Sequence, residues 1–322
     1  MKVIRHIILI LILIIGIHSA HAATLVVESK KQDYDDSKKL ITLTKDVKVT
    51  IDDVNVRSPK AFLTINAEGK PDTATFVDGV NVIKMTKDSK SEVKASILKL
   101  SLINKEGEAT GNVQSKMTEM GKPTVTIKSD YQSFNLDTNI MEAKNNVVMT
   151  YDDIKTNSDR AVIKITNKGG LEKLRILGNA KIIQEKVTVT GDEITLTTAT
   201  EVLTANGNTH TVLVSDDTKV NIWGKYQQFN NKTNTAMASG SVKIIYNEFT
   251  ATGPKAVLLP NPKTKKPNKI VFAGRSTITE GDKSIQADEI EITMNPKNFT
   301  AEGNVRTIIN NLESLDSGNK GI

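Results

Sequence analysis

"GEATGNV" occupies residues 107–113, and close variants return as "ILGNAKI" at 176–182, "TANGNTH" at 204–210, "MASGSVK" at 237–243 and "FTAEGNV" at 299–305. The residue that Asn112 represents recurs as Asp46, Gly79, Asn112, Asn146, Asn179, Asn208, Ser241, Arg275 and Asn304, at spacings of 33, 33, 34, 33, 29, 33, 34 and 29. A period of this length, kept along a whole chain, marks a repeat architecture whose units bury their apolar faces by stacking. Val usually follows directly (Val47, Val80, Val113, Val147, Val242, Val305). The residue two further on lies on the same face of an extended strand. The Gly- and Asn-rich phrase itself reads as a turn.

A second phrase follows each of these, typified by "TIKSDYQSFNL" at 126–136. Anchored on Asp130, it recurs at Pro59, Ser96, Asp159, Asp192, Lys225, Pro254 and Asp288. The residue before the anchor is small every time: Ser58, Ala95, Ser129, Ser158, Gly191, Gly224, Gly253 or Ala287. Four residues after it the chain is large and apolar every time: Leu63, Leu100, Phe134, Ile163, Leu196, Phe229, Leu258 and Ile292. Three residues before it Val56, Val93, Ile127, Val189, Ile222 and Ile285 are apolar as well. These two positions are seven apart, so a regular strand would put them on opposite faces. Both reach one core only if a bulge or corner intervenes, and the small residue suits such a bend. Each unit therefore reads as strand, turn, and a strand kinked at the anchor.

Composition agrees. Aromatics make up 4% of the chain, while Val, Ile and Thr crowd stretches such as "KVTVTGDEITLTT" and "SIQADEIEITM". β-Branched residues alternating at period two predict half-buried strands. The fold class is all-β, elongated, with about nine repeats of roughly 33 residues. "SEVKASILKLSL" at 91–102 has some helical character, but its place in the repeat predicts a strand.

The N-terminus carries Lys2 and Arg5, the apolar run "IILILILIIGI" at 7–17, and "SAHA" with Ala20 and Ala22 flanking His21. This is the pattern of a secretory signal cut after Ala22, and eleven apolar residues are short for a bilayer span. An uncleaved anchor is the rival reading. The organisation expected is a signal at 1–22, a repeat domain at 23–309 and a polar tail at 310–322. Cleavage leaves His210 as the sole histidine, and the chain has no cysteine. That excludes disulfides, thiolate zinc sites and a Cys nucleophile. Losing Lys2 and Arg5 takes the formal charge from +6 to +4. So mild and dispersed an excess argues against a nucleic-acid partner. No P-loop or other nucleotide signature is present, and no cofactor or metal is expected.

Paired acids at Asp52–Asp53 and Asp152–Asp153 sit at equal offsets from their repeats, six residues past Asp46 and Asn146. Identical placement predicts hairpin turns rather than catalytic carboxylates, which need different environments converging on one cleft. His210 reads as a turn-adjacent surface residue, and Trp223 as packing beside Gly224. The Pro- and Lys-rich "PNPKTKKPNK" at 260–269 reads as a solvated loop, with an anion site as the alternative.

The phrases "A-x-G-N-V-x-[VI]" and "[VI]-x-[SA]-D-x-A-x-[LI]-x-[LI]" resemble the OstA-like family of periplasmic lipopolysaccharide-transport proteins. The matches are clearest at Ala109–Val113, Ala143–Met149, Ala205–Asn208 and Ala301–Val305, and for the second phrase at Ser158–Ile165 and Ala287–Met294. The resemblance covers roughly residues 24–309. It implies a twisted, open β-jelly-roll whose two antiparallel sheets meet in a V along a groove carrying lipid acyl chains. It further implies a non-enzymatic periplasmic bridge protein that moves lipopolysaccharide, held by its lipid A acyl chains, from the inner to the outer membrane. Partners would be same-fold components, one anchored in the inner membrane and one the outer-membrane translocon, together with head-to-tail copies of the chain. The groove positions would be Val56, Leu63, Leu100, Ile127, Phe134, Ile163, Val189, Leu196, Ile222, Phe229, Leu258, Ile285 and Ile292. Assembly would use the terminal strands, at Leu25 and Val27 and at Val305, Thr307 and Ile309. Nine units make this chain longer than the usual soluble bridge component, and no barrel follows them. Two readings from other classes stand beside it: an exported structural or adhesive β-solenoid with a filled core, and a polysaccharide-active β-solenoid enzyme.

Overall fold

Along β10 (Val125–Asn135) inward side chains alternate regularly up to Ser129; then Asp130 and Tyr131 both face outward, and Gln132 is buried again. This change of parity answers the seven-residue problem posed by the sequence, and it recurs at Asp159–Arg160. A computed structural model of the chain describes residues 25–310 other than 52–53, 122, 136, 167–170, 216–217, 265–266 and 295–296. The signal at 1–22 with its cleavage residues Ala20 and Ala22, the tail beyond 310 and the Asp52–Asp53 pair lie outside the described residues. All regular structure among the described residues is β-strand.

The repeat run divides into two compact units, 25–185 with Thr195–Ala199, and Lys186–Ile194 with 200–310. The first contains β1 (Leu25–Glu28), β2 (Lys31–Asp35), β3 (Leu40–Ile51), β4 (Val54–Ile65), β5 (Pro71–Val77), β6 (Val80–Met85), β7 (Ser89–Ala95), β8 (Ile97–Ser101), β9 (Glu106–Glu119), β10, β11 (Ile140–Tyr151), β12 (Ile154–Ile165) and β13 (Leu171–Gln184). β14 (Val187–Thr197) contributes its start to the second unit, which continues with β15 (Val202–Ser215), β16 (Thr218–Asn230), β17 (Thr235–Tyr246), β18 (Phe249–Pro260), β19 (Pro267–Glu280), β20 (Lys283–Met294), β21 (Lys297–Glu302) and β22 (Arg306–Ile309). Registered neighbours are antiparallel, mostly consecutive in the chain, as in β9–β10–β11–β12–β13 and β15–β16–β17–β18–β19–β20. The stretch at 91–102 is indeed extended, as β7 and β8.

One expectation needs correction. The "GN" phrase does not reverse the chain. Gly111 and Asn112 lie inside β9, Gly178 and Asn179 inside β13, and Gly207 and Asn208 inside β15. Each pair has left-handed backbone, with φ of 81° and 49° at Gly111 and Asn112. Pairing slips here, so that Ser129 opposes Val113 while Tyr131 opposes Thr110. The phrase is thus a corner in a continuing strand, and it lies against the kink of the next. Chain reversal falls at the other ends of the strands, for example at Asp152–Asp153 between β11 and β12, where the paired acids were expected to turn.

Each long strand so has two arms joined at a corner, and the arms share one interior. In the first unit Val56, Val82 and Val93 on one arm cluster with Ala61, Phe76, Leu98 and Leu100 on the other. In the second, Ile244 and Ala251 cluster with Phe272 and Ile290, and Phe249 meets Phe299 with ring centroids 5.2 Å apart.

Candidate functional site

The thirteen positions expected to face a groove all turn inward. In the first unit Val56, Leu100, Ile127, Ile163 and Leu196 are buried, and Leu63 and Phe134 half-buried. In the second Val189 and Phe229 are buried, and Ile222, Leu258, Ile285 and Ile292 half-buried.

A cavity of ≈ 30 Å³ opens in the first unit, lined by Val27, Leu43, Val49, Ala61, Phe62, Leu63, Ala74, Phe76, Leu100 and Leu102. The lining side chains are all apolar. The volume is room for one or two waters, in a place with no polar group to hold them. Beside it Leu102 and Ile103 stand exposed in the β8–β9 turn. Val27 reaches this cavity from β1, so a terminal strand forms part of its wall.

The corners are fastened by a polar row that the sequence reading did not foresee. Asn146 Nδ2 donates to Asp130 Oδ2 at 2.9 Å, Asn179 to Asp159 at 3.0 Å, Asn208 to Asp192 at 3.3 Å and Asn304 to Asp288 at 2.7 Å. Where Arg275 stands in place of Asn, its Nη1 donates to the Asn304 carbonyl at 2.7 Å and to Asp288 Oδ1 at 3.5 Å. The glycine before Asn179, Asn208 and Asn304 makes room for the acid, whereas Asn145 precedes Asn146. A Cβ on Gly303 would lie 2.7 Å from Asp288 Oδ2, and one on Gly178 3.0 Å from Asp159 Cβ. The signal was present as an Asp-to-Asn interval of 16 residues, found three times among these four pairs.

At the ends, β1 and β2 are both registered against β3, and β21 and β22 both against β20. Val27 packs against the core, whereas Val305, Thr307 and Ile309 are exposed. Asn310 N donates to the Asp282 carbonyl at 2.9 Å. Antiparallel alternation then turns the amide of Ile308 toward β20 and those of Thr307 and Ile309 away from it. The last strand so presents outward-facing backbone groups beside exposed side chains.

His210 differs from expectation, while Trp223 packs as expected. His210 lies within β15, half-buried, directly opposite Trp223 on β16. Their rings stack at 4.5 Å with 3° between planes, and Lys243 Nζ stands 5.7 Å from the indole centroid. His210 is part of an outward-facing ladder rather than a turn. On the outer face of the first unit, Glu142 binds Lys144 at 2.9 Å and also Arg160. Burial alone would raise its pKa, but these hydrogen bonds outweigh it and hold the carboxyl below the usual range.

Neither a family model nor a curated protein matches the chain. Among solved structures, it is similar to LptH, the LptA-homologous periplasmic component of the lipopolysaccharide transport device from Pseudomonas aeruginosa. The TM-score is 0.35 at 13% identity, over 40% of this chain and 95% of that one.

Proposed function

We infer that the chain is an exported carrier that holds lipid acyl chains in its apolar interior and passes lipopolysaccharide from the inner toward the outer membrane. The observation that carries this reading is the wholly apolar cavity beside Leu63 and Leu100, walled partly by a terminal strand. It sits on the recurring inward positions that the OstA-like phrases mark out. Each methylene moved out of water contributes about 0.8 kcal/mol, so a chain of about twelve carbons would gain something near 10 kcal/mol if fully enclosed. One deep pocket of that strength would trap its cargo. A series of similar apolar stations instead lets a chain step along without a deep well. The small resting volume means that the arms must part to admit the cargo. Same-fold partners would add to the terminal strands by backbone pairing, and the chain does no catalysis of its own.

The test is photo-crosslinking in living cells from Leu63, Phe134 and Phe229, each replaced singly by a photoreactive residue. Lipopolysaccharide adducts are expected at all three, and none from the exposed Lys232. The close packing of Ile127, Ile163 and Leu196 favours a second reading, a structural or adhesive solenoid with a permanently filled core. Absence of lipid adducts at every inward site, in a protein that folds and is exported, selects that reading.

A further inference from the structure

Polar side chains inside the two units generally have partners. In the first, Gln132 Nε2 donates to the Ile127 carbonyl at 3.3 Å, and its Oε1 accepts from Ser115. In the second, Gln227 Nε2 donates to the Ile222 carbonyl at 3.0 Å, and its Oε1 accepts from Thr211 at 2.5 Å. The small serines before the corners follow the same rule. Ser58 Oγ donates to the Lys60 carbonyl at 2.9 Å and Ser129 Oγ to the Tyr131 carbonyl at 2.9 Å.

β12 breaks the rule. Thr156 and Ser158 are 4% and 6% exposed, two residues apart on the inward face, and neither Oγ makes a hydrogen bond among the described residues. Thr156 holds the position where six other repeats place Val or Ile, so a hydroxyl stands where a methyl group would pack. An unpaired buried hydroxyl is a cost that isosteric valine avoids. Its neighbours across the strands are Met149 and Ile182, both half-buried and apolar. An occupant suited to these surroundings is apolar along its length and carries oxygen at one point.

We propose that Thr156 and Ser158 form a polar station that hydrogen-bonds an oxygen substituent of an acyl chain, a hydroxyl or an ester or amide carbonyl. The cargo is then an oxygenated acyl chain rather than plain hydrocarbon. Hydroxyls both donate and accept, so either kind of oxygen is served. The proposal rests on the carrier reading and narrows its cargo.

Displacement of a fluorescent fatty acid from the full mature chain measures affinities for 3-hydroxytetradecanoic and tetradecanoic acids. The ratio of the two affinities cancels whatever both chains gain equally. It is expected to shift against the hydroxylated acid by roughly 3- to 10-fold in Thr156→Val/Ser158→Ala, as loss of one or two hydrogen bonds requires. The unliganded variant should melt at or above the wild-type temperature, and Thr156→Ser should keep the wild-type ratio. If the double variant does not fold, Thr156→Val alone gives the same comparison. Failure of that near-isosteric variant to fold would mean the hydroxyl serves the structure, which overturns the station. An unchanged ratio, as when the hydroxyls merely hold a water, also overturns it while leaving the carrier standing. Binding of neither acid by the wild type removes both.

Discussion

A single glycine at a corner answers two demands at once. Gly178 has a φ of 71°, where L side chains are strained, and its missing Cβ leaves space for the Asp159 side chain. Gly178→Ala is expected to destabilise the protein by about 2 kcal/mol, read as a lower denaturation midpoint. Adding Asp159→Ala should cost less in that background than in the wild type, because removing the acid relieves the crowding that the new Cβ creates. Strict additivity would show that the acid does not occupy that space. Glu142 gives a pH prediction at the same scale. Its folded pKa lies below the unfolded value of about 4.5. Its stabilisation is therefore complete above that value and is lost as pH falls through the folded one. The melting-temperature gap between wild type and Glu142→Gln should narrow as the pH falls below 4.5. A gap that stays constant would remove Glu142 from the acid limb.

At the scale of the strand, much could be read directly because burial leaves a period in the sequence. The inward residues flanking Asp130 fell into place once a change of parity was required, and β10 shows it. What stayed hidden was contact between strands. Glycine and asparagine with left-handed backbone serve hairpins and mid-strand corners equally well, so "GN" alone does not say whether the chain reverses. Likewise Asp130 and Asn146 lie in separate phrases, and only their pairing across β10 and β11 explains either. The orphan hydroxyl of Thr156 was illegible for the same reason, since a threonine in a β-rich sequence is ordinary until its neighbours are known. The last strand carries its own prediction. The Thr307 amide faces away from β20, so Thr307→Pro removes an outward donor and spares the internal ladder. Folding and export should be nearly unchanged while self-association and partner capture are lost. Wild-type sedimentation of the variant would sink pairing through this edge.

For the whole molecule, repetition sets what can be localised. Interior positions recur so regularly that composition and period alone place them, whereas the cavity near β1 depends on how one terminal strand meets the sheet. The sequence pattern at residues 1–22 carries the expectation of export. Mass analysis of material recovered from the cell is expected to find Ala23 as the first residue. Recovery of the intact chain from the inner membrane would make it an anchored component instead.

The unbroken corners have a consequence for traffic. Strands such as β9, β13 and β15 run on through the corner, so continuous chain closes that side of each unit even where the pairing slips. On the carrier reading, an acyl chain within a unit would have no side exit along the corners. Cargo carried in this way would move in single file, first in and first out. One stalled molecule would halt everything queued behind it, and the rate of delivery would be set by the slowest station rather than by the average one.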